Sequence, residues 1–363
     1  TTSVESRWFN HDFLEALYTA LGYDSDGLIE LVMRLIQEGK SEQNLLDTLL
    51  PTRPKDVTVM VQETTNEPSK YLKRYNANPI LEPLEHSPWE SKYVLNPGAL
   101  RIGDKIYLFY RAVGEDGISH VGLAITDGYR VLERLPQPIL SPATPEEKMG
   151  CEDPRCIVVD DKIFMLYTAY DGNVAQIAAS IPVEHFLAGN YQDWKREGLA
   201  FKNIWDKDAI IFPEKINGRY VIYHRIEPSI WATYVDQLKF PIREKHAIII
   251  GPRPGRMWDS LKIGAGAQPL KTKYGWLLIY HGVDYNYVYR LGVILVDLNN
   301  PAKVIFRSPN PILEPEEDYE IGLDGSWVPN VVFTCGAAAG VDKEVLEDHD
   351  EILVYYGAAD TTI

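Results

Sequence analysis

The feature of this 363-residue sequence that most limits its fold is a strand-like segment that returns five times at long spacing. The copies are Asp104–Arg111, Asp161–Thr168, Gly218–Arg225, Tyr274–His281 and Asp350–Gly357. Each runs through β-branched or aromatic residues from a turn signal and closes on a polar or small residue. Alignment places Tyr110 over Tyr167, His224, Tyr280 and Tyr356, in steps of 57, 57, 56 and 76 residues. A second motif repeats too: Pro79–Pro83, Pro138–Pro142 and Pro311–Pro315. A period near 57 without intervening helical patterning predicts an all-β chain, a five-bladed β-propeller of four-stranded blades. A β-sandwich has no need of such a period. Radial repetition sets Arg111, Thr168, Arg225, His281 and Gly357 at comparable depths around one axis. Three of those five can carry positive charge, which makes a candidate anion site.

The beginning of the chain reads differently. Phe13, Leu14, Leu17 and Leu21, then Leu28 to Ile36, recur at helical spacing, and Ser41 caps a third short helix that Pro51 ends. Residues 1–60 are therefore expected to form a helical extension, either a cap or an oligomerisation element, with the repeat domain over 61–363. The net charge of −16 excludes a general nucleic-acid binder. No apolar run is long enough for a membrane span. The first residues lack the pattern of a secretory signal. Cys151, Cys156 and Cys335 form neither a disulfide framework nor a metal site, as expected of buried thiols in a reducing cytoplasm.

Fourteen residues before Tyr110 stands Asn96, and fourteen before Tyr167 stands Asp153, so Gly150–Arg155 opens the second repeat. An aspartate in a desolvated cleft can have its pKa raised and act as a general acid. The competing reading is a turn aspartate that satisfies backbone amides ahead of Pro154.

The runs Gly150–Arg155, Lys207–Lys215, Tyr223–Arg225, Ile263–Gly266, Tyr280–Gly282 and Val328–Phe333 together resemble family 130 of the glycoside hydrolases, from about Tyr71 to the C-terminus. That family comprises β-mannoside phosphorylases and some β-mannosidases on five-bladed propellers. The resemblance implies that Asp153 is the general acid of an inverting reaction, reaching the glycosidic oxygen through the sugar's 3-hydroxyl. It implies Lys207, Arg225 and His281 as ligands of inorganic phosphate, the co-substrate, with no other cofactor and no metal. Asn96, Arg111, Arg155 and Asp324 are the residues expected to hold the mannosyl unit of a β-mannoside oligosaccharide. Phosphorolysis needs one protein carboxyl group because phosphate arrives already anionic, whereas inverting hydrolysis needs a second. Cytoplasmic phosphorolysis would deliver α-mannose 1-phosphate directly to metabolism. An inverting β-mannosidase, a propeller glycosidase with three carboxylates and a non-catalytic glycan-binding propeller are the alternatives. Glu214 is a weaker competing carboxylate, since Pro213-Glu214-Lys215 reads as a strand edge.

Overall fold

A computed structural model describes residues 72–322 and 326–363. The proposed helical segment and Asp324 lie outside the described residues. The described chain is all-β, with two short helices, α1 (Val183–Leu187) and α2 (Asp318–Ile321). It forms five antiparallel units. The first holds β1 (Tyr93–Ile102), β2 (Lys105–Val113), β3 (Ser119–Thr126) and β4 (Val131–Arg134). The second holds β5 (Gly150–Val159), β6 (Lys162–Tyr170), β7 (Val174–Pro182) and β8 (Lys195–Leu199). In the third are β9 (Lys207–Ile211), β10 (Tyr220–Ile226), β11 (Ser229–Val235) and β12 (His246–Ile250). The fourth has β13 (Lys262–Ala265), β14 (Leu270–Thr272), β15 (Gly275–Val283), β16 (Tyr289–Val296) and β17 (Val304–Arg307). The fifth pairs β18 (Val332–Ala339) with β19 (Ile352–Ala358). One parallel bridge, Ser119 to Gly150, joins the first two units into a single eight-stranded sheet.

The repeated segments are β2, β6, β10, β15 and β19, as their patterning predicts. They are apolar on both faces because successive side chains point to opposite sides of a strand and here each side meets another unit. On β6, Ile163, Met165 and Tyr167 pack with the first unit. Phe164 and Leu166, between them, pack with the third. Five such clusters fill the gaps between consecutive units. The remaining gaps are filled between the third and fourth units, the fourth and fifth, and the fifth and first.

A buried polar triad recurs at the aligned aromatic. Tyr110 donates its hydroxyl to Glu90 (2.9 Å), which Arg134 also binds (2.6 Å). Tyr167, Glu147 and Arg196 repeat the pattern, as do Tyr280, Asp259 and Arg307, then Tyr356, Glu320 and Arg74. Each carboxylate precedes the first strand of its unit and is buried. Arg134, Arg196 and Arg307 come from the outermost strand, but Arg74 precedes β1, so the fifth unit's triad is completed from the start of the described chain. The third unit departs from the pattern with Asp206, His224 and His246.

Candidate active site

Three first strands carry the same irregularity. In β1, β5 and β9 two residues face one on the partner strand, at Asn96-Pro97, Asp153-Pro154 and Asp208-Ala209. The leading residue of each bulge is left-handed, with φ of 50°, 52° and 57°. Asn and Asp tolerate this region better than other side chains with a Cβ, so the sequence and the bulge agree. The residues flanking the bulges pair as Leu95 with Arg111, Glu152 with Thr168 and Lys207 with Arg225. Gly264 pairs with His281, and Phe333 with Gly357. Arg111, Thr168, Arg225, His281 and Gly357 thus occupy one level of the repeat, as the alignment predicts.

Two groups of charges meet at this level. Asp153 accepts a hydrogen bond from the Asn96 amide (2.8 Å) and lies 3.6 Å from Arg111, which also donates to Glu152 (3.0 Å). Lys207, a quarter exposed, stands 3.7 Å from Glu152. Asp208 is the second hub: Arg155 donates to it (2.9 Å), Arg225 lies at 3.0 Å and His281 at 3.5 Å. Arg225 also donates to Nε2 of His281 (3.2 Å).

The electrostatics correct two expectations. Burial pushes the Asp153 carboxyl up, but Arg111, Lys207, Arg155 and the Asn96 hydrogen bond outweigh it and hold the group below its ordinary value. A raised acid is not what this environment makes on its own. Burial also lowers His281 to about 3, with Arg225 and Arg155 adding repulsion against the attraction of Asp208. His281 is therefore a neutral ring and not a third cation. Accepting from Arg225 at Nε2 places its proton on Nδ1. That atom and Nε of Arg225 are buried donors without a partner among the described residues. Unmade hydrogen bonds of this kind cost about 1–3 kcal/mol each.

Arg155 is turned inward. Its side chain is 1% exposed, and its nitrogens donate to Asp208, to the Gly266 carbonyl and to the Asp153 carbonyl. It braces the two hubs. Glu214 pairs with Lys271 (2.8 Å) and takes no part in the cluster. The three cysteines are free and buried, with thiols raised chiefly by desolvation.

Sequence reasoning passed over Glu152, Asp208 and Asp360. The first two stand inside quoted motifs, and Asp208 repeats the Asn96 and Asp153 position. Asp360 follows β19, where Ala359 and Asp360 are both left-handed, with φ of 46° and 49°. Burial, with repulsion from Asp153 and Glu152 against the pull of Arg111 and Lys207, raises its carboxyl to about 7. Two carboxyl groups with pKa values pushed apart are the raw material of acid–base chemistry. A cavity of about 500 Å³ lined by Arg74, Tyr75, Tyr129 and Tyr356 contains none of these groups.

Asp153, Glu152 and Asp360 thus gather with Arg111 and Lys207 at one level of an all-β repeat. A family model described as beta-1,4-mannooligosaccharide phosphorylase matches residues 71–363, and the chain belongs to that family, glycoside hydrolase family 130. It is 41% identical over 300 residues to a 1,2-beta-oligomannan phosphorylase of Thermoanaerobacter sp. strain X514, covering 80% of this chain and 95% of the relative. A beta-1,2-mannobiose phosphorylase of the same organism is 40% identical over 305 residues, with the same coverage. Among solved structures, the beta-1,2-mannobiose phosphorylase of Listeria innocua in complex with beta-1,2-mannobiose is similar, with a TM-score of 0.67 at 26% identity. That match covers 80% of this chain and 94% of that one.

Proposed function

We propose that the chain is an inverting, cytoplasmic phosphorylase of β-1,2-linked mannosides on a five-bladed β-propeller spanning residues 61–363. The relatives of about 40% identity, named for β-1,2-linked substrates, carry the linkage. Five core clusters between consecutive units, the last between fifth and first, support the propeller. No helix among the described residues is long and apolar enough to cross a membrane.

In this reading Asp153 is the general acid, Asn96 and Arg111 hold the mannosyl unit, and Lys207, Arg225 and His281 bind phosphate. Arg225 and Lys207 supply charge, and neutral His281 supplies a hydrogen bond from Nδ1. The low pKa of Asp153 fits the same scheme. Arg111 and then Lys207 depress the carboxyl most, and a phosphate dianion beside Lys207 offsets the second of them, which favours the protonated acid once both substrates are bound. Phosphate then attacks the anomeric carbon, the glycosidic bond breaks, and the leaving oxygen takes the proton. The products are α-mannose 1-phosphate and the shortened acceptor.

The observation that carries this reading is that Asp153 stands beside Arg111 and Lys207, with Arg225 at the neighbouring Asp208 hub. Its test is β-1,2-mannobiose incubated with and without phosphate. The expected result is mannose 1-phosphate formed only with phosphate; equal release of mannose without it would establish a hydrolase instead.

A further inference from the structure

The third unit, which carries Lys207 and Arg225, is the one whose triad lacks an arginine. Four triads pair a tyrosine and a carboxylate with arginine. In three of them, Glu147, Asp259 and Glu320, the arginine and other hydrogen bonds overcome burial and hold the carboxyl below its ordinary value. In the third, Asp206 bonds Nδ1 of His224 (2.5 Å), and Nε2 of His224 bonds Nδ1 of His246 (2.8 Å). Asp206 and His224 are fully buried, and Oδ1 of Asp206 has no partner among the described residues. The ring of Phe201 packs on both histidines.

We propose that Asp206, His224 and His246 form a proton-holding support that positions Lys207 and Arg225 and keeps a further negative charge away from the phosphate they bind. This rests on the phosphate reading of the site. Asp206 directly precedes Lys207, and His224 directly precedes Arg225, so their hydrogen bond ties the two strands where the two cations pair. The groups facing Asp206 are Asp208 on β9 and His224 and Arg225 on β10, with His246 of β12 and Glu244 beyond it. Burial and then the charge of Asp208 raise Asp206 well above its ordinary value, while burial lowers His224 to about 3. The pair thus holds one proton on the carboxyl and is neutral. The local balance shows why this matters. Arg111, Arg155, Lys207 and Arg225 face Glu152, Asp153 and Asp208, with Asp360 near its titration point. One more carboxylate beside Asp208 would cancel the remaining excess of positive charge. An arginine at His246, as in the other units, would favour that carboxylate, while its own charge would sit on β12, two strands away from β10 and its Arg225.

The experiment titrates inorganic phosphate calorimetrically into the parent chain, His246→Arg and Asp206→Asn between pH 6 and 9. His246→Arg should fold and bind phosphate about tenfold more weakly than the parent at pH 7. Asp206→Asn keeps the shape without a charge, and its affinity should stay within twofold of the parent's wherever Asp206 holds its proton. Comparison at each pH cancels the ionisation of phosphate itself. A purely structural triad would shift melting temperatures and leave affinity alone. Affinities within twofold of the parent for both variants at every pH overturn the proposal while the phosphate site stands. Should His246→Arg fail to fold, Asp206→Ala, which cuts the tie to His224, takes its place, and a phosphate affinity within twofold of the parent's then overturns the proposal. A parent chain that binds no phosphate overturns the site reading and the support together.

Discussion

Asn96 donates its side-chain amide to Asp153 over 2.8 Å, joining the left-handed bulge residues of two neighbouring units. The acid is therefore oriented from outside its own strand, and its ionised form is stabilised by that contact.

Replacing Asp153 with Asn should preserve the fold and lower turnover by about 10²–10⁴-fold, the usual contribution of a positioned proton donor. Asn96→Ala should lower turnover less and move the alkaline limb of the pH–rate profile upward, because the carboxylate loses a hydrogen bond and keeps its proton to higher pH. Steady-state rates with saturating phosphate, measured across pH, check both.

Asp360 gives a stability signature. Its carboxyl keeps a proton up to about 7 in the folded chain against an ordinary 3.8. Between those values folding takes up a proton, so this group's contribution to stability declines as pH rises. Asp360→Asn cannot ionise and should gain in melting temperature relative to the parent from pH 5 to pH 8. Parallel melting curves across that range would show that the carboxyl is not raised.

His281 acts in the opposite sense. Its pKa falls from 6.5 to about 3 on folding, so the unfolded chain binds the extra proton and stability is lost as pH falls below 6.5. The limiting slope is about 1.4 kcal/mol per pH unit. His281→Asn should flatten denaturation midpoints between pH 6 and pH 4 relative to the parent. The Asp206–His224 pair adds little there, because its folded and unfolded forms each hold one proton between their ordinary pKa values.

Gly264 sits opposite His281 because nothing larger fits. A Cβ there would lie 2.2 Å from Oδ2 of Asp208 and 2.4 Å from Cε1 of His281. Both neighbours are buried and tied into the same network. Gly264→Ala should destabilise the chain by about 1–3 kcal/mol, as overpacking does. It should also reduce kcat/KM for phosphate by more than tenfold, with the KM for the mannoside altered far less.

The repeat was legible because strands buried on both faces read as uninterrupted apolar runs, and five of them at long spacing leave few folds. The level shared by Arg111, Arg225 and His281 followed from the same alignment. Charge state did not. Whether a histidine is a cation or a neutral donor depends on what surrounds it, and at His281 that is Asp208, Arg225 and a tilted Phe333 ring, brought in from two other units. Arg155 reads in sequence like any other motif arginine, and only the fold shows it turned inward to Asp208. Asp360 lies outside the repeated segments, in two left-handed residues that carry no glycine to mark them.

The bulge that recurs at Asn96, Asp153 and Asp208 makes three interchangeable sockets in one frame. A single nucleotide change converts Asn to Asp, and the same backbone shape holds an Asn in the first socket and an Asp in the other two. Sequences descended from such a frame can relocate an acid from one spoke to the next, or silence it as an amide, with the backbone left where it is.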